Sequence, residues 1–176
     1  VRPALDFRIL GPLEVADGGE PLVLGGRKQR ALLAILILHA NEVVSSDRLI
    51  DTLWRGAPPD TAATALHGYV SQLRKVLERD RAPGEPPSVL VTSEPGYTLR
   101  IAAEQVDAER FAALLAAART ALAAGLPEDA EHLLRTALGL WRGAPLADLE
   151  DEAGLEAELP HLVELRLEAI EERFEA

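Results

Sequence analysis

Thr64, His67, Gly68, Ser71, Gln72, Arg74 and Lys75 recur at three- and four-residue intervals, a spacing that gathers them on one side of a helix. The chemistry they carry is that of reading a nucleic-acid duplex. A guanidinium matches the two acceptors of guanine with parallel hydrogen bonds, a glutamine amide matches adenine, and serine or lysine reaches a phosphate or a base edge. A helix is also an element that fits the major groove. By itself, though, a polar face opposite an apolar one is what any amphipathic helix shows to solvent. The neighbouring elements must decide between the two.

Arg27, Lys28 and Arg30 form the densest basic cluster, at the start of an expected helix whose backbone N–H groups could join them around a phosphate. Solvated charges at a helix start are the equal alternative. Trp54 falls in an apolar stripe, where core packing is the ordinary role. Enzyme chemistry finds little support. GGRKQ lacks the spacing and closing Ser or Thr of a P-loop, no nucleophile elbow is present, and His39, His67, His132 and His161 are scattered. No catalytic residue, metal or cofactor is nominated.

Stepwise along the chain, the opening segment alternates apolar and polar residues around Gly11-Pro12 and Asp17-Gly18-Gly19, which predicts a small antiparallel sheet. Residues 27 to about 40 are apolar nearly all round after Ala31, as in a central buried helix. Ser45 or Ser46 caps a second helix stopped by Gly56 and Pro58-Pro59, and Asp60 or Thr61 caps a third with Leu66, Tyr69, Val70, Leu73, Val76 and Leu77 on its inner face. RAPGEPPS at 81–88 is a loop, and VLVTSEPGYTLRI is a hairpin turning at Pro95-Gly96. Beyond about Asp107 the chain becomes Ala/Leu-rich. Two helices separate at Gly125-Leu126-Pro127, the second running to about Trp141, and a last one spans about 152–176 with Pro160 at its start or a kink. Its uncapped end at Ala176 suggests a piece of a longer protein.

Composition divides the same way. Residues 1–103 carry 12 Lys and Arg against 12 Asp and Glu, and residues 104–176 carry 6 against 17, so the whole formal charge of −11 falls on the second part. We therefore read two units, 1–103 and 104–176, with different partners. Asp148, Glu150, Asp151, Glu152, Glu156 and Glu158 crowd together, either as an acidic interaction surface or as a solvated loop. The absence of cysteine removes disulfides and thiol chemistry, and no signal peptide or membrane-length apolar run is visible, so the expected location is the cytoplasm.

GGRKQRALLAILILHANEVVSSDRLIDTLWRGAPPDTAATALHGYVSQLRKVLE followed by TSEPGYTL resembles the Streptomyces antibiotic regulatory protein family. DAERFAALLAAARTALAAG, AEHLLRTALGLWRGAPLADL and LVELRLEAIEE resemble that family's bacterial transcriptional activation domain. The resemblance implies an OmpR/PhoB-type α+β winged helix-turn-helix, with an N-terminal antiparallel sheet, three helices and a C-terminal β-hairpin wing, then an all-α, tetratricopeptide-like domain. It implies a transcription activator bound to direct repeats of promoter DNA near a −35 element, as side-by-side protomers that recruit RNA polymerase, with secondary-metabolite genes among its targets. On the DNA side it places Ser71, Gln72, Arg74 and Lys75, Arg74 foremost, with Thr92 and Ser93 on the wing and the Trp54 indole near a phosphate; Thr64, His67, Arg27, Lys28 and Arg30 complete the expected interface. Many such proteins have arginine near both Gln72 and Ser93; the departure here leaves fewer cations and makes cooperative binding more important. The rivals are a protein-interaction scaffold without DNA binding and the regulatory front end of a larger signalling ATPase or enzyme.

Overall fold

The computed structural model describes residues 5–152 and 154–175; the expected end at Ala176 lies outside them. β1 (Leu5–Arg8), β2 (Glu14–Asp17) and the short β3 (Glu20–Pro21) form an antiparallel sheet in that order. Pairing of Phe7 with Val15 puts both side chains in the core. α1 (Arg27–Leu38) is the spine, with every residue from Ala31 to Ile37 buried, as its all-round apolar surface requires. α2 (Ser46–Leu53) starts where Ser45 accepts the Arg48 N–H at 3.1 Å, satisfying an orphan donor of the first turn. α3 (Ala62–Leu77) follows, inserting Leu66, Val70, Leu73 and Leu77 beneath α1 and α2.

The hairpin is β5 (Leu90–Ser93) and β6 (Gly96–Leu99), completed by β4 (Val44–Ser45) in the order β4-β6-β5. β4 is absent from the sequence reading because two residues are too few to show alternation. Its pairing explains the glycine of PGY. A Cβ on Gly96 would lie 1.9 Å from the Val44 carbonyl oxygen, so only glycine lets these strands meet.

α4 (Asp107–Ala123) and α5 (Pro127–Leu138) pack as a helical hairpin around Phe111, Leu115, Ala118, Ala130, Leu134 and Ala137, and α6 (Leu159–Glu175) adds Ala169. Alanines at the contact let the helices approach closely. α5 stops at Leu138, short of the expected Trp141, whose ring instead meets Phe111 edge-on at a centroid distance of 5.4 Å. α6 begins at Leu159, later than the expected Glu152, with Pro160 in its first turn. The preceding segment is occupied elsewhere: Leu146, Leu149 and Leu155 complete the core of the first unit, while Leu10 enters that of the second.

Asp107 fastens this exchange. Buried at the start of α4, its carboxylate accepts the backbone N–H of Ile9 at 2.8 Å and of Leu10 at 3.0 Å. The Arg142 and Leu146 N–H groups donate to Leu10 and Ile9 carbonyls, so the strand end after β1 is bonded on both sides by the helical unit. Among the described residues no helix is long and apolar enough to cross a membrane.

Candidate nucleic-acid interface

Burial of Leu66, Val70, Leu73 and Leu77 fixes the rotation of α3. The line farthest from them, at intervals of four, three and four residues, is Thr64, Gly68, Ser71 and Lys75, all exposed. His67 and Gln72 flank that line and are exposed too. The six form a continuous exposed ridge whose side chains have no hydrogen-bond partner among the described residues. Four of the expected residues thus share one line, and two border it.

Arg74 is placed differently. It lies at the margin of the ridge, half-buried, and turns toward the wing: Nε donates to the Leu90 carbonyl at 2.8 Å and Nη2 to Thr92 Oγ1 at 2.8 Å. Its guanidinium stands 5.9 Å from the centre of the Tyr97 ring. Burial lowers the Arg74 pKa, and burial raises that of Tyr97. Its Nε and Nη2 are thus engaged within the protein, whereas the expectation from sequence has the guanidinium pointing outward to a base. Thr92 is exposed and Ser93 half-buried, paired opposite Tyr97 and Gly96 respectively. Tyr97, buried on the hairpin, joins it to α3 through the Arg74 guanidinium.

The basic cluster is also spoken for. Arg27 faces Glu152 at 3.7 Å and Asp151 at 3.9 Å. Lys28 donates to the Leu53 carbonyl and pairs with Glu152 at 3.4 Å. Arg30 donates to the Leu13 carbonyl at 2.8 Å and is paired with Asp148. The acidic segment thus meets cations of its own chain, an alternative to both expectations for it, and His39 and Arg55 extend the contact to Glu158 and Glu156. Trp54 is half-buried, stacked on Tyr69 at a centroid distance of 6.4 Å with the Lys28 ammonium 5.7 Å from its ring centre.

Glu78 was not nominated from sequence, yet it sets the path from α3 to the wing. Buried just past the helix, its Oε1 accepts the Ser88 N–H at 2.6 Å and the Val89 N–H at 3.2 Å. A lone acidic residue at a helix end offers no pattern that would reveal such a role. With Arg74 it ties the end of α3 to the hairpin by side-chain hydrogen bonds from both directions.

Comparison with known proteins agrees with this geometry. Residues 19–99 match the model for "Transcriptional regulatory protein, C terminal", and residues 106–176 match "Bacterial transcriptional activator domain". The chain is 42% identical over 176 residues to the Transcriptional regulatory protein EmbR of Mycobacterium tuberculosis, covering 100% of this chain and 45% of that protein. It is 39% identical to the Regulatory protein AfsR of Streptomyces coelicolor, covering 98% of this chain and 16% of that one. A solved structure of Mycobacterium tuberculosis EmbR in complex with a low affinity phosphopeptide superposes with a TM-score of 0.91 at 41% identity, over 98% of this chain and 45% of that chain. The chain spans less than half the length of these relatives.

Proposed function

The chain belongs to the Streptomyces antibiotic regulatory protein family, and from that premise we propose that it is a DNA-binding transcription activator whose α3 enters the major groove while the wing meets the sugar–phosphate backbone. The observation that carries this reading is the exposed ridge of Thr64, Gly68, Ser71 and Lys75, on a helix hydrogen-bonded to the hairpin beside it. His67 and Gln72 border the groove-facing line, so readout falls on short polar groups and one amide rather than on arginines. Affinity per half-site is then modest, which fits side-by-side protomers on direct repeats near a −35 element. The helical unit, rich in acidic residues, stays off the phosphates and serves protomer contacts or recruitment of RNA polymerase at promoters of secondary-metabolite genes.

One observation favours a second reading, a scaffold that binds proteins only: Arg27, Lys28 and Arg30 are paired within the chain, which leaves the first unit poor in free cations. Selection of bound fragments from random DNA, followed by affinity across a salt series, separates the two. The activator yields a direct-repeat consensus whose log K falls by about 0.9 per log unit of salt for each phosphate neutralised. A lack of enrichment even at low salt leaves the scaffold.

A further inference from the structure

We propose that Arg74 and Thr92 together make a phosphate-binding point on the wing, in which the guanidinium stays inside the protein and acts through the threonine hydroxyl; the proposal rests on the DNA-binding reading above. The hairpin residues 90–99 include no Lys or Arg and one acid, Glu94, at the turn. A wing so composed repels a phosphate unless a positive charge stands behind it. Arg74 is that charge, reaching across from α3 to bond the Leu90 carbonyl and Thr92 Oγ1, both at 2.8 Å.

The geometry settles which way Thr92 is polarised. A hydroxyl has one proton to give and lone pairs to receive with. Here a lone pair takes an N–H from a cation, so the proton remains to be donated outward, and a donor that itself accepts from a charged group is strengthened. Thr92 is exposed, one residue short of the end of β5, where a backbone oxygen can meet it. Swinging Arg74 out to touch DNA directly would instead strip the carbonyl of Leu90, a residue with 0% exposure, of its side-chain donor. The arginine is thus a positioning residue and Thr92 the group in contact.

The test uses the full chain and the DNA site selected above, with an unrelated duplex as competitor. Thr92→Val removes the donor at nearly constant shape and is expected to weaken both duplexes about tenfold, while Thr92→Ser stays within about twofold of the parent. Arg74→Lys keeps the charge but cannot make both bonds; it is expected to weaken binding similarly, and adding Thr92→Val to it costs less than about twofold more. Thermal unfolding should leave Thr92→Val within a few degrees of the parent. Parent-like binding by Thr92→Val, losses that multiply in the double variant, or a Thr92→Ser as weak as Thr92→Val overturns the site while the protein remains a DNA reader. A parent that selects no DNA sinks the function and the site together.

Discussion

Arg30 and Asp148, 118 residues apart in the chain, form an ion pair that ties the first turn of α1 to the segment leading into α6. The other Asp148 oxygen accepts the Leu13 N–H at 2.8 Å, so one carboxylate bridges a helix, a strand connection and the helical unit. Asp148→Ala leaves a half-buried cation and a backbone donor without their partner and is expected to cost about 1.5–3 kcal/mol by urea unfolding. Asp148→Asn keeps an acceptor for Leu13 and should cost less. Equal losses would place the stabilisation in the ion pair alone, and an unchanged midpoint would remove the bridge from the energetics.

Lys75 and Arg27 should answer differently to the same substitution, because one stands on the exposed ridge and the other faces Glu152. Lys75→Ala is expected to weaken all duplexes alike and to reduce the salt slope by about 0.9, the share of one phosphate. Arg27→Ala should leave both affinity and slope near the parent values. A loss of slope in Arg27→Ala would mean that DNA displaces the acidic segment from α1.

Burial patterns were legible because they are periodic. The inner face of α3, the apolar run of α1 from Ala31 onward and the hairpin around Pro95-Gly96 can each be read from residue type and spacing, and the outer line of α3 follows by subtraction. What could not be read were pairings between distant residues. Nothing near Arg27, Lys28 or Arg30 in sequence announces that residues 148–152 will neutralise them, and nothing in LRKVL tells that Arg74 bends to the wing. Arg74 sits at the margin of the polar face, where a long side chain has two destinations, and the Leu90 carbonyl decides between them. The β4 strand and the role of Glu78 were hidden for a related reason: each is a local element whose meaning comes from β6 or from Ser88 and Val89.

Two carboxylates should bend the pH dependence of stability in opposite senses. Burial alone would raise the pKa of Asp6, but Arg8 at 2.7 Å and Arg110 at 2.9 Å outweigh it and hold the folded value below the ordinary one. Its stabilisation is present above the unfolded pKa and lost as pH falls through the folded one. For Asp107, burial outweighs the N–H bonds of Ile9 and Leu10 and raises the pKa. That contribution is full below the unfolded pKa and lost as pH rises through the folded one. In urea midpoints taken from about pH 3 to 7, Asp6→Asn should flatten the acid-side decline and Asp107→Asn should make it steeper. Parallel curves for parent and variants would contradict both assignments.

Gly68 separates stability from binding most cleanly. It lies in the middle of α3 on the exposed line, and a Cβ built there meets nothing within 4 Å, so no packing inside the chain calls for glycine. An interior helical glycine costs roughly 0.5–1 kcal/mol relative to alanine because it loses more backbone freedom on folding. Gly68→Ala is therefore expected to stabilise the isolated protein by that amount. If the helix backbone lies close against a groove edge, the added methyl stands in the contact, and the same variant should bind the selected DNA several-fold more weakly. A gain in stability with unchanged affinity would mean that α3 meets its ligand through the tips of Ser71, Gln72 and Lys75 without close backbone approach, and it would turn the search for base contacts to Ser71 and Gln72.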